Sequence, residues 1–400
     1  MGAAVPGAGE TTARNEATVG KRVLVGMSGG VDSSVAAALL CEAGYDVVGV
    51  TLNVWPERDA MQALVEREDA CCSLGAVEDA RRVADQLGIP YYVLNFKDVF
   101  RRQVMANFAA EYARGRTPNP CVRCNQFVKF DALLARAVAV DADYVATGHY
   151  ARVDYDALSG RWRLRRAADR TKDQSYVLAV MSQERLARTL FPLGGLTKAE
   201  VRAHAARLGL ATADKAESQE ICFVPTGNYR DYLAEAAPET RRSGPIVDLD
   251  GRVLGEHAGI AYYTIGQRKG LGLAVGEPLY VVDLLPDENR VVVGPREALL
   301  AAGCLVEDVN YVALAGLGGP LCAQVRIRYK AEDAPVELSP ATDGQIAVRF
   351  LSPQRAVTPG QTIVFYDGDV VLAGGTIARR LDAAAPAPTP AARPVALAAR

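Results

Sequence analysis

Two kinds of reactive residue stand out in this 400-residue chain, a serine- and glycine-rich run and a set of scattered cysteines. The run is Gly26-Met27-Ser28-Gly29-Gly30-Val31-Asp32-Ser33-Ser34. It follows the short apolar stretch RVLVGM (22–27) and opens the helix-like stretch SSVAAALLCEAG. Glycines at 29 and 30 let the backbone turn tightly and approach a phosphate with no Cβ in the way. Amides at a helix start carry partial positive charge, and Ser28, Ser33 and Ser34 add hydroxyl donors. No Gly-Lys-Ser/Thr ending is present, so this is not a Walker A loop. Without that lysine to clamp a γ-phosphate, pyrophosphate becomes the group held, and Asp32 the residue to place a Mg2+ ion on it. Gly148 and His149 close a later strand, where a parallel sheet puts its ligand contacts; a turn glycine and a hydrogen-bonded core histidine are the plainer reading.

The cysteines are Cys41, Cys71, Cys72, Cys121, Cys124, Cys222, Cys304 and Cys322. Cys41 lies in an apolar run and Cys304 and Cys322 in strand-like segments, so all three are expected in cores. Cys124 (PNPCVRCN) and Cys222 (SQEICF) fall where regular structure is weakly signalled, as active-site residues often do. Cys124 is expected directly before a helix over 125–139, whose N-terminus would favour its thiolate. A thiolate attacks sulfur–sulfur bonds, that of a persulfide included. The rival reading joins Cys121 and Cys124 to Cys71 and Cys72 as a zinc or iron–sulfur site. Adjacent cysteines are awkward tetrahedral ligands, and no metal site is assigned.

The elements that must position these groups follow from pattern. Between 21 and about 150, short apolar runs at 22–27, 47–54, 91–96 and 144–151 alternate with helical stretches at 76–88, 98–113 and 125–139. That rhythm implies right-handed crossovers and a mainly parallel α/β sheet. On the 76–88 helix, Val77, Ala80, Val83, Ala84 and Leu87 share one face. A hairpin is expected over 150–167, and Thr197-Lys198-Ala199-Glu200 reads as a capping box opening a helix that stops at Gly209. From about 244 the chain becomes short β-segments such as RVVVG, QIAVRF and TIVFY, which suggests small barrels. Net charge is −2. One stretch, RWRLRRAADRTK (161–172), is strongly basic, either a solvated hairpin face or a phosphate-contacting patch. No apolar run approaches the ~20 residues of a membrane span, and no signal-like leader is evident, so a cytoplasmic enzyme is expected.

The run SGGVDS resembles the PP-loop of ATP pyrophosphatases, which cleave ATP between its α- and β-phosphates and adenylate an oxygen. With TPNPCVRCN, ATGHYAR, RTKDQSYVL, ESQEICF, YYTIGQRKGLGL, VRIRY and SPQRAVTPGQ added, the chain resembles the tRNA-specific 2-thiouridylases from about 21 to 380. The resemblance implies a PP-loop domain over 21–225, a small β-rich central domain over 226–298, a β-barrel over 299–382, and tails at 1–20 and 383–400. It implies 2-thiolation of the tRNA wobble uridine by a monomer that uses ATP and Mg2+, with sulfur from a persulfide carrier or cysteine desulfurase relay.

By motif position, Cys222 matches the persulfide-bearing cysteine and Cys124 the one that frees the sulfur, leaving a disulfide between them. ATP contacts fall on Gly26, Met27, Ser28, Gly29, Gly30, Val31, Asp32, Ser33, Leu52 and Gly148. The target base falls to Asn119, Pro120 and Cys121. Further tRNA contacts fall to His149, to Lys172, Asp173 and Gln174, and to Arg328, Tyr329 and Gln361. Lys172 tips the basic stretch toward RNA. Two departures stand out: Cys121 replaces a common aspartate and Leu52 a common methionine. The insertion around 58–72 lies outside the shared core. Rival functions are an amidotransferase-type adenylating synthetase, which would need neither cysteine, an RNA-binding nucleotide sensor, and an iron–sulfur thiolase resembling the 2-thiocytidine synthetases.

Overall fold

The computed structural model describes residues 19–54, 74–213, 215, 221–224, 228–274, 276–329 and 331–382. Residues 1–18 and 383–400 of the tails, the insertion and, with it, Cys71 and Cys72 lie outside the described residues. The chain divides into two compact units: residues 1–104, 121–227 and 369–371 form the first, and 105–120, 228–368 and 372–400 the second.

The first unit is built on β1 (Arg22–Gly26), α1 (Val31–Glu42), β2 (Asp46–Asn53), α2 (Leu74–Leu87), β3 (Tyr91–Asn95), α3 (Pro120–Cys124), β4 (Tyr144–Thr147), the hairpin β5 (Ala151–Asp156) and β6 (Arg161–Arg166), β7 (Thr189–Leu190) and α4 (Lys198–Arg207). Five strands pair in parallel in the order β3-β2-β1-β4-β7. Val23, Leu24 and Val25 of the central strand are buried, as the unbroken apolar run requires of a strand covered on both faces. Helix α1 is buried at eight of its twelve positions and ends at Gly44, whose φ of +83° ordinary residues resist. On α2 the buried stripe is Ala76, Ala80, Val83 and Ala84, with Ala76 taking the place expected for Val77. Strand β7, two residues long, is too short to leave a readable pattern.

The order of the strands fixes the site. From β1 the chain runs outward to β2 and β3, then returns to β4 on the other side of β1. The carboxyl ends of β1 and β4 therefore flank the switch point at which open α/β sheets bind ligands.

The second unit holds a four-stranded sheet and a closed barrel. The sheet is β10-β11-β8-β9, from β8 (Gly244–Val247), β9 (Val253–His257), β10 (Tyr280–Leu285) and β11 (Arg290–Gly294). The barrel has six strands: β12 (Leu300–Tyr311), β13 (Leu321–Arg326), β14 (Ala334–Pro340), β15 (Ile346–Arg355), β16 (Thr362–Asp367) and β17 (Val370–Leu381). Pairing of β17 with β12 closes the ring β12-β15-β14-β13-β16-β17. Cys304 is buried in its core as expected, and burial pushes its thiol pKa up. Cys322 is not in the core. Side chains alternate along β13, and the inward positions are Leu321 and Val325, which leaves Cys322 exposed.

Candidate functional site

The loop after β1 is a hydrogen-bonded bracket. Met27 extends the sheet, its N–H donating to Val50 O at 2.8 Å and its carbonyl accepting from the Thr51 hydroxyl at 2.6 Å. Ser33 Oγ accepts from the Ser28 N–H at 3.1 Å, while the Ser33 and Ser34 hydroxyls donate to Gly30 O at 3.1 and 2.9 Å. Gly29 has φ +67°, and a Cβ there would sit 2.1 Å from Ala76 O; only glycine fits. Gly30 is the N-cap of α1 and supplies no capping side chain. The first-turn amides have no acceptor within their own helix, so they are donors suited to an anion.

Gly148 closes the bracket from β4. A Cβ on it would lie 2.7 Å from both the Asp32 carbonyl carbon and the Ser33 nitrogen. Two predicted nucleotide-contact segments, 26–33 and 148, are thus brought into van der Waals contact. Leu52 lies near the carboxyl end of neighbouring β2, in register with Leu94.

Two further residues reach this loop that the motif did not announce. Lys198 Nζ lies 2.7 and 2.9 Å from the two Asp32 carboxylate oxygens, and the Tyr150 hydroxyl donates to Asp32 Oδ1 at 2.7 Å. Lys198 is the first residue of α4, capped by Thr197 and Glu200 as expected. A cation in the first turn opposes the helix dipole. That is the signal in the sequence: a lysine in an unfavourable position needs an anionic partner.

His149, next in sequence to Gly148, is buried, with Nδ1 2.7 Å from Thr147 Oγ1. Burial, reinforced by the Lys129 charge, pulls its pKa well below the usual value, so the ring is neutral at pH 7. It packs edge to face on Phe191 and at a tilt on Phe130, which follows Cys124 in the chain by six positions.

Cys124 does not precede a helix, contrary to expectation. Pro120 opens α3, and the chain passes without a break into a wider π-type helix over Asn125–Ala132. Proline is favoured at a first helical position, so Pro120 starts the helix and Asn119 stands just before it. The helix N-terminus therefore lies nearest Cys121, which is exposed, and a turn away from Cys124, which is half-buried. Asn125, the buried residue that follows Cys124, donates its amide to Val177 O at 3.3 Å. The Arg123 guanidinium sits 4.4 Å from the Phe127 ring centre. Of the base-contact trio, Asn119 is partly exposed and Pro120 buried. Half-buried Cys222 is held by its neighbour Phe223, which packs edge to face on Phe100 with ring centres 5.7 Å apart.

Part of the basic stretch is ion-paired. Arg163 and Arg165 share Asp154 at 2.6 and 3.1 Å, Arg170 pairs with Asp369, and Arg166 is buried. Asp173 is buried and accepts from the amides of Ala167 and Ser175 and from the Ser175 hydroxyl. The Gln174 side chain accepts from Tyr150 N–H at 2.9 Å. Lys172 and Gln174 are both half-exposed. In the second unit, Tyr329 is exposed, Arg328 donates to Arg355 O at 3.3 Å, and Gln361 donates to Thr117 O at 2.8 Å. Among the described residues, no three His, Cys, Asp or Glu side chains cluster as metal ligands. The Asp32 carboxylate, beside the first-turn amides of α1, is an oxygen donor of the kind a Mg2+ ion carried in on a nucleotide would take, and it is held here by Lys198 and Tyr150.

Fold and loop together define a nucleotide-binding domain of the HUP class, and the family model described as the tRNA methyl transferase HUP domain matches residues 21–226. Models of the associated PRC-barrel domain and of an aminomethyltransferase β-barrel domain match 230–295 and 301–377. The tRNA-specific 2-thiouridylase MnmA of Heliobacterium modesticaldum is 55% identical over 362 residues, covering 90% of this chain and 93% of its own length. The protein of the same name from Moorella thermoacetica is 55% identical over 354 residues, 88% of this chain and 98% of its own. The chain belongs to the tRNA-specific 2-thiouridylase family. Among solved structures, a 4-thiouridine synthetase–RNA complex with bound ATP aligns at 15% identity and a TM-score of 0.30, covering 55% of this chain and 51% of that one.

Proposed function

We propose that this protein converts the wobble uridine of tRNA to 2-thiouridine by adenylating O2 of the base and delivering sulfur through two cysteines. The observation that carries the reading is the uncapped amide bracket at 28–33, closed by Gly148 at the switch point of the sheet. Methyl transfer, the activity in the family models' descriptions, gives that bracket nothing to do.

ATP is a substrate. Its phosphates lie against Gly26–Ser33, with Leu52 and Gly148 as further contacts. Uridine O2 attacks the α-phosphorus and pyrophosphate departs; Asp32 would hold the Mg2+ ion that neutralises the leaving group. Cys222 carries the persulfide. The Cys124 thiolate attacks the Cys222 sulfur, the persulfide S–S bond breaks, and hydrosulfide is released. Hydrosulfide adds to C2 and AMP leaves with the former O2. The Cys124–Cys222 disulfide is then reopened by a two-electron thiol reductant.

Splaying the base out of a single-stranded anticodon loop is of modest cost. Asn119, Pro120 and Cys121 receive the base; His149, Lys172, Arg328, Tyr329 and Gln361 meet the RNA. Asp173 and Gln174 shape the turn that presents Lys172. No described helix is long and apolar enough to cross a membrane, and the reading places the enzyme in the cytoplasm with tRNA and a persulfide donor as partners.

The test is reconstitution with ATP, Mg2+, a persulfide donor and unmodified tRNA. 2-Thiouridine and AMP should form together. Cys222→Ser should bind ATP and make no 2-thiouridine; full activity in that variant would overturn the persulfide assignment.

A further inference from the structure

The anion loop contains no basic residue, and its one charge, Asp32, is of the wrong sign for its ligand. The cation beside it comes from elsewhere in the chain. Lys198 holds both Asp32 oxygens, and its side chain is only 12% exposed. We propose that Lys198 is a phosphate-binding residue of this site, its ammonium passing from Asp32 to the β- and γ-phosphates when nucleotide binds and supplying the positive charge that the loop itself lacks.

Three features support a transferable ammonium over a fixed structural pair. The lysine backbone is anchored: its N–H donates to Asp169 Oδ2 at 3.0 Å, within a helix start closed by the Thr197–Glu200 capping box. Only the flexible four-carbon stem has to move, and a lysine ammonium is a compact charge with three donors free to reorient. Asp32 does not depend on Lys198 alone, since the Tyr150 hydroxyl stays on Oδ1 at 2.7 Å. The ammonium also sits 5.9 Å from the centre of the Tyr150 ring, so the aromatic face borders its position. Finally, a Cβ on Gly148 would lie 2.7 Å from the Asp32 carbonyl carbon and the Ser33 nitrogen, so glycine there lets the chain after β4 pack directly on the start of α1 and fixes the backbone of Asp32 while the ammonium moves. Mg2+ and Lys198 then act in concert, the ion taking the carboxylate that the ammonium leaves.

The inference rests on the reading that the loop binds ATP, and calorimetric titration separates the two. Wild-type protein is titrated with pyrophosphate, ATP and AMP, each with Mg2+ and again with EDTA. Failure of the wild type to bind ATP or pyrophosphate would overturn the ATP reading itself. If the wild type binds, Lys198→Met should weaken pyrophosphate and ATP by at least about tenfold, the loss expected for one charge-assisted hydrogen bond. AMP affinity and the unfolding midpoint should stay nearly unchanged, and Lys198→Arg should recover part of the loss. In EDTA, Asp32→Asn should tighten pyrophosphate binding by releasing the ammonium, and Lys198→Met added to it should erase the gain. Undiminished pyrophosphate binding by Lys198→Met, equal losses for AMP and ATP, or a loss confined to Mg2+ would contradict a direct phosphate contact.

Discussion

The anion loop at 26–34 and the hairpin strands β5 and β6 are opposites in sequence, one without a cation and the other crowded with arginine. In the folded chain they exchange character. The loop acquires an ammonium 166 positions away in sequence, while Arg163 and Arg165 on the hairpin are taken up by Asp154. The comparison teaches that local charge counts say little about where positive charge is available. Arg163, directly across a ladder from Asp154, and Lys198, brought to a helix start by the fold, are each held by an aspartate, but only the aspartate that holds Lys198 belongs to the loop. Charge counts mislead at His149 too, formally basic but buried and neutral next to the loop.

The strongest way to break this contrast is to fill the loop. Gly29→Ala adds a Cβ 2.1 Å from Ala76 O at a φ of +67°, which should cost roughly 2–3 kcal/mol and abolish ATP binding. Calorimetry and urea unfolding check both. On the hairpin side, Asp173→Ala strips acceptors from two amides and a hydroxyl. It should lose about 2 kcal/mol of stability. Lys172→Ala should leave stability alone and lower tRNA affinity a few-fold, reducing the salt slope by about 1. Equal behaviour of the two variants would undo the distinction drawn between them.

Acid should act next. Burial lowers the pKa of both His149 and His257, so the unfolded chain takes up protons that the folded chain refuses. Stability is therefore level above a pH of about 6.5, the ordinary histidine value, and falls below it. Denaturant midpoints at pH 7 and pH 5 should separate for the wild type and separate less for His149→Gln. Thr197→Ala removes one half of the capping box under Lys198 and should cost about 1 kcal/mol. The smallest effect belongs to Arg163→Ala, within about 0.5–1 kcal/mol because its aspartate partner is partly exposed, with tRNA affinity nearly unchanged.

Much of this is legible in the sequence. Parallel strands, the loop, the capping box over Thr197 and Glu200, and the β-rich second half all follow from local pattern. What escapes depends on tertiary placement or on one residue of register. Lys198 and Tyr150 reach Asp32 only because α4 and the end of β4 converge on α1. Pro120 reads equally as loop or first helical residue, so pattern alone puts the helix start after Cys124 when it precedes Cys121. Cys322 lies on the outward beat of a strand whose register no short window fixes.

The most direct measurement follows one oxygen atom. tRNA carrying 18O at O2 of the wobble uridine is incubated with enzyme, ATP, Mg2+ and a persulfide donor, and the AMP is analysed by mass spectrometry. Adenylation of the base predicts one 18O in each AMP and one AMP for each 2-thiouridine. 2-Thiouridine formed alongside unlabelled AMP would contradict it.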